Sequence, residues 1–227
     1  MSGHSHFSTI KRKKEAEDKK RGQIFSKMTQ VIALAAKEGK NPEANVKLKN
    51  AIEEAKRVNL PKSLVEKAIQ KGSGELGGEK LESFLFEAYG PGNISLLIEG
   101  ITDNKKRALG EIKKILTENR GKLVAEGAIK WQFEKKGVIL LKPENKEQAE
   151  LITIDSGAEN FEWQEDVLKI YTKVEKLETV KKNLDQKIEE SFIAWVAKEK
   201  IQAEDITKLI ESLLDNNDVQ KVYSNLK

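Results

Sequence analysis

Apolar residues recur every three or four positions through the first third of the chain, a spacing that predicts helices. Ile24, Phe25, Met28, Val31, Ile32 and Ala35 form one stripe, closed by Gly39. Asn41-Pro42 offers an N-cap and a first-turn proline for a second helix, whose stripe is Leu48, Ala51, Ile52, Ala55 and Val58. A third short helix opens near Pro61, carries Leu64, Val65, Ala68 and Ile69 on one face, and stops at Gly72. Three amphipathic helices on short loops hide their stripes against one another, so a small bundle is expected. Gly22 is a candidate interruption of the first helix.

Beyond residue 80 the period changes. Strands are expected at 82–89, 94–101, 128–133, 137–142, 161–164, 167–173, 192–197 and 219–224. Helices are expected near 103–119, 145–155, 175–187 and 203–214. From 137 to 197 the order is strand, helix, strand, strand, helix, strand, the ferredoxin-like split unit. The flanking segments read as a second α/β domain into which that unit is inserted, with the strand at 82–89 pairing along an edge. The fold class is therefore α+β: an N-terminal three-helix bundle followed by two ferredoxin-like α/β domains, one inside the other. The domain bounds are 1–78, 79–134 plus 199–227, and 135–198. Gly72-Ser73-Gly74-Glu75-Leu76-Gly77 matches a dinucleotide-binding pattern only by accident, since a helix precedes it and a strand follows; it reads as a linker.

Charge alters the picture more than composition does. The net charge of the 227 residues is only +4, but residues 1–78 hold 17 basic and 9 acidic residues, a net of +8. The remainder holds 24 basic and 28 acidic residues, a net of −4. Such asymmetry points to a polyanionic partner for the first segment. Lys11, Arg12, Lys13, Lys14, Lys19, Lys20 and Arg21 crowd together against three acids. Lys13, Lys20 and Lys27, spaced by seven, share one face of the first helix, a cationic ridge suited to tracking phosphates. A solvated helical face is the plainer reading of the same residues.

At Thr102-Asp103-Asn104-Lys105-Lys106-Arg107 a strand ends, Thr102 or Asp103 caps a helix, and three cations fill its first turn. Helix dipoles disfavour cations there, so Lys105 and Arg107 read as a second anion site beside free backbone N–H groups, or as long stems reaching into solvent. Tyr89-Gly90-Pro91-Gly92-Asn93 is a turn between strands, one that could also bind. Trp131, Trp163 and Trp195 fall on strand-like segments and read as packing residues, with base stacking as the alternative. His4 and His6 lack an obvious third ligand, so no metal site is expected. The absence of cysteine removes thiolate chemistry and fits a reducing compartment. No nucleophile triad or P-loop is present, no small-molecule substrate is evident and no cofactor is expected; the chain reads as non-enzymatic. No run approaches the length of a membrane span and no secretory leader is evident, so a cytoplasmic location, without membrane association, is expected.

These residues together resemble the YebC family, which includes bacterial proteins described as transcriptional regulators and a mitochondrial translational activator. Gly3-His4-Ser5, Ile10-Lys11, Ala35-Ala36-Lys37, Asn59-Leu60-Pro61, Glu87-Ala88-Tyr89-Gly90-Pro91-Gly92, Thr102-Asp103-Asn104, Gly157-Ala158-Glu159 and Asp218-Val219-Gln220 carry the likeness, in matching order across the whole chain. Departures are His6-Phe7 where the family has Lys-Trp, and Asn93 where it has a second glycine. The resemblance implies a helical domain, two α/β domains with a groove between them, and nucleic-acid binding. Two purposes remain open: DNA binding with control of transcription, or association with ribosomal RNA and the ribosome to assist translation. A monomer is expected.

Overall fold

The computed structural model describes residues 4–77 and 80–227, with side chains from residue 20 onward. Helix α1 (His4–Ala36) is one unbroken helix of 33 residues, about 50 Å at 1.5 Å per residue. It runs through Gly22, where the interruption considered from sequence does not occur. Helices α2 (Val46–Arg57) and α3 (Lys62–Gly72) pack against its second half. Met28, Ile32, Ala35, Leu48, Ala55 and Ala68 of the stripes expected from sequence lie in their shared core, joined by Ala36. At the α1–α3 crossing, a Cβ on Gly72 would stand 2.1 Å from the Ala33 carbonyl oxygen, so no side chain fits there.

The second helix starts later than Asn41-Pro42 suggests. Its N-cap is Asn45, whose side-chain oxygen accepts from the Leu48 N–H at 3.0 Å. The same side chain donates to the carbonyls of Ala35 and Gly39, both at 2.8 Å, tying the end of α1 to the start of α2. Asn41 instead accepts from the Glu43 N–H at 3.0 Å and shapes the preceding turn.

The remaining elements, in chain order, begin with β1 (Glu82–Tyr89), β2 (Ser95–Thr102), α4 (Lys105–Glu118) and β3 (Lys122–Leu123). Then come β4 (Phe133–Leu141), α5 (Lys146–Asp155), β5 (Asn160–Gln164) and β6 (Val167–Thr172). The chain closes with α6 (Leu177–Asn183), β7 (Ile188–Ala197), α7 (Thr207–Leu214) and β8 (Val219–Ser224). Two compact units emerge: Met1–Asn93, Ile98–Val124 and Glu204–Val222 form the first, and Ile94–Leu97, Ala125–Ala203 and Tyr223–Lys227 the second.

One sheet has the order β3-β1-β2-β8, which corrects the placing of residues 82–89 at an edge. The edge belongs to the two-residue β3, paired through Ala88 with Leu123 and Tyr89 with Lys122. A short lysine-bearing strand blunts an exposed edge, whereas the apolar β1 gains from neighbours on both sides. In effect β1 fills the slot that the third strand holds in a ferredoxin-like unit. Within the first unit Ala33 of α1, Leu81 and Ile101 share a small apolar cluster.

The other sheet is antiparallel with the order β5-β6-β4-β7. With α5 and α6 as its two helices this is the split unit expected from sequence. Alternation sorts its faces: Ile139, Leu141, Leu168 and Ile170 meet Ala149, Leu177 and Val180, while Val138, Tyr171 and Ala194 occupy the opposite face. The strand expected at 128–133 is instead a 3-10 turn at Lys130–Gln132 that leads into β4 at Phe133.

Candidate nucleic-acid interface

The basic ridge sits on the half of α1 that precedes its packed stripe. Lys11, Arg12, Lys13, Lys14 and Lys19 lie outside the residues whose side chains are described, as do His4 and His6. Lys20 and Arg21 are exposed. Among the described side chains the apolar stripe is engaged from Phe25 onward, past the stretch in which the cations crowd.

Lys27 leaves that ridge. Its side chain is half-buried and its ammonium donates to the Leu214 carbonyl at the end of α7. Gln23 donates to the next carbonyl, that of Asp215, at 3.3 Å. The final carbonyls of a helix have no partner within it, so these two side chains serve as its cap. Burial holds the Lys27 ammonium below the ordinary lysine range, while Asp215 pulls the other way. Lys27 was grouped with Lys13 and Lys20 by a seven-residue spacing, whereas its partner is a helix almost two hundred residues away in sequence.

The start of α4 is built from five interlocking groups. The N-cap is Asn104, rather than Thr102 or Asp103, and its side chain accepts from the Arg107 N–H at 3.0 Å. The Thr102 hydroxyl accepts from the Asn104 N–H at 3.0 Å and donates to the Asp218 carboxylate at 2.9 Å. The Arg107 guanidinium folds back over the cap, 2.6 Å from Asp103 and 2.9 Å from Asp218. That contact holds the Asp103 carboxyl below its usual range. Of the three first-turn cations, Lys105 and Lys106 therefore remain exposed, while Arg107 balances two acids.

Between α3, the middle of α1 and the start of α4 lies an open cleft of about 330 Å³. Ser26, Thr29 and Gln30 line it from α1, Lys67 and Lys71 from α3, and Arg107 from α4. Hydroxyls, an amide and cations suit an anionic group, although Asp103 and Asp218 on the same wall temper the charge. Lys67 and Lys71 were not singled out from sequence. Their i, i+4 spacing on the third helix was the available signal.

The tryptophans divide. Trp163 packs against the helix-covered face of its sheet and donates to Glu150 at 2.5 Å. Trp195 is half-buried on β7. Trp131 departs from the packing reading: it lies on the 3-10 turn with 67% of its surface exposed.

Among the described residues no helix is long and apolar enough to cross a membrane. Residues 5–75 match the family described as the TACO1/YebC protein N-terminal domain, and residues 81–226 match the TACO1/YebC second and third domain. A protein of Caldanaerobacter subterraneus subsp. tengcongensis named a probable transcriptional regulatory protein is 43% identical over the whole chain and 98% of its own length. A protein of the same description from Thermoanaerobacter pseudethanolicus is 41% identical, over the whole chain and 97% of its own length. The crystal structure of the conserved hypothetical protein Aq1575 from Aquifex aeolicus superposes with a TM-score of 0.81 at 37% identity, covering 91% of this chain and 90% of that one. With both family descriptions matched in order over nearly all its residues, the chain belongs to the TACO1/YebC family.

Proposed function

We propose that this protein is a non-enzymatic nucleic-acid-binding regulator, in the first reading a DNA-binding regulator of transcription in the cytoplasm. The observation that carries this is the division of α1: its second half is buried in the bundle, and its first half bears seven cations between residues 11 and 21. Phosphates along a backbone are spaced regularly, and a helix with closely placed cations follows them without reading bases. The names of relatives at about 40% identity support regulation as the purpose. Lys11, Arg12, Lys13, Lys14, Lys19, Lys20 and Arg21 are the proposed contacts, with Lys105 as a second point. Lys27 and Arg107 act as supports, holding α7 and the start of α4.

The proposed domain division keeps three parts: residues 1–78, residues 79–134 plus 199–227, and residues 135–198. The non-enzymatic reading is supported at the cleft, where Arg107 keeps Asp103 ionised rather than poised to move a proton. A monomer without cofactor is the simplest state of such a binder.

Gel retardation of promoter duplex, repeated from low to high salt, tests the reading: affinity should fall steeply with salt. Equal retention of every duplex sequence would leave binding intact but remove the case for transcriptional control. The same cations could serve on ribosomal RNA, the second reading. Sedimentation of lysate through a sucrose gradient separates the two, since a ribosome-associated factor travels with ribosomal fractions at low salt.

A further inference from the structure

The exposed indole of Trp131 is placed more deliberately than a stray surface apolar residue. Its N–H, the side chain's one polar atom, donates to the Ala128 carbonyl at 2.9 Å, which anchors the ring to its own turn. Lys130 is its neighbour in the same turn, and the ammonium groups of Lys130 and Lys135 lie 5.5 and 5.0 Å from the centre of the Trp195 ring. The Lys198 N–H donates to the Gln132 carbonyl at 2.9 Å, so the residue that follows β7 is fastened to the same turn. Glu134, the acid within this segment, is engaged by Lys136 at 3.5 Å. The turn thus presents one anchored, open aromatic ring, and lysines are carried by the segments that meet it.

Resting on the nucleic-acid reading above, we propose that Trp131 is a stacking site for an unpaired nucleobase, with Lys130, Lys135 and Lys198 attending the flanking phosphates. Charge complementarity favours a polyanion over an apolar peptide or a neutral surface. The aromatic face favours a single strand over a duplex, because paired bases are already stacked and expose only their edges. Ordering of the ring is already met by the Ala128 bond, so stacking costs little further side-chain freedom. Single-stranded or locally open nucleic acid is the ligand class that offers such an unpaired base with phosphates beside it.

The test uses the full chain and its Trp131→Ala and Trp131→Phe variants. Anisotropy titrations with a fluorescein-labelled 12-nucleotide oligoadenylate RNA and with a 20-base-pair DNA duplex read the two ligand classes. Trp131→Ala should weaken the RNA complex about tenfold, within the range for one stacked base, and alter duplex affinity less than twofold. Trp131→Phe should keep RNA affinity within about threefold, yet lose the quenching of indole emission that RNA causes in the unaltered chain. Equal weakening on both probes, or no weakening on RNA, overturns the stacking site while leaving duplex binding in place. If the unaltered chain binds neither probe, the nucleic-acid reading fails and this site with it. Unchanged melting temperatures confirm that the variants fold.

Discussion

Arg107 holds its guanidinium 2.9 Å from the carboxylate of Asp218, a residue 111 positions later and only 8% exposed in its side chain. Thr102 completes the cluster from the end of β2. The join is tight because the backbone approaches too: the Ile101 N–H donates to the Asp218 carbonyl at 2.8 Å, and a Cβ on Gly100 would stand 2.2 Å from that same oxygen. The residues before β8 thereby locate the start of α4, where the exposed Lys105 and Lys106 begin.

Removing the Thr102 hydroxyl should therefore loosen this corner. Thr102 is fully buried, and Thr102→Val keeps its shape while leaving Asp218 one donor short. A loss of about 1–3 kcal/mol is expected for a hydrogen bond to a buried charged group. Urea unfolding measures it, and an unchanged midpoint would show that Arg107 alone holds Asp218.

Gly72→Ala should destabilise the helical bundle by about 1–3 kcal/mol, as overpacking does where backbone cannot retreat. The added Cβ meets the Ala33 carbonyl, which is main chain of α1, so relief requires moving a helix. Thermal unfolding followed by circular dichroism reads the shift. Gly22→Ala is the control, since nothing stands within 4 Å of its Cβ position.

The two classes of lysine on α1 make opposite predictions for binding. Lys20→Ala with Arg21→Ala should lower the slope of log affinity against log salt by about two, each phosphate contact contributing nearly one. Lys27→Ala should leave that slope unchanged, because its ammonium is spent on the Leu214 carbonyl. Filter binding to duplex DNA across a salt series tells them apart.

Tyr171 should resist ionisation. Burial raises its pKa above the usual value of about 10, and the hydrogen bond it donates to Glu162 acts in the same direction. The Tyr171 phenol should then ionise late in an alkaline titration followed at 295 nm, and Tyr171→Phe should abolish that late step. A folded-state pKa above the unfolded one means that the folded chain retains a proton the unfolded chain has lost. Stability from this group is thus whole below about pH 10 and declines as pH rises past it. A titration with no late step lost on Tyr171→Phe would contradict the buried hydrogen bond.

Much of the architecture was legible because it depends on local repetition. The strand expected at 82–89 is β1 to the residue, and 219–224 is β8 to the residue. Helix stripes through Ile32, Leu48 and Ala68 became the bundle core. Each of these patterns reports only which side of an element turns away from water, and that is settled within a few residues. Less was legible where a group's partner is remote. Asn41-Pro42 has the chemistry of a cap, yet Asn45 takes the role because its amide also reaches Ala35 and Gly39. The charged Glu134-Lys135-Lys136 hid the first residues of β4, and the two residues of β3 are too few to leave a period.

The amino-acid sequence alone determined most of the elements and their order, the split unit and the crowding of positive charge into the leading helix. All of these follow from the spacing of apolar and charged residues along one stretch of chain. Only the tertiary structure decided which strand lies inside the first sheet, which cations remain open to solvent, and which tryptophan faces water. Those outcomes depend on what arrives from elsewhere: α7 to receive Lys27, Asp218 to receive Arg107, and little to cover Trp131 among the described residues. A side chain's own neighbours in sequence carry no record of a partner brought beside it by the fold, and solvation is set by that partner.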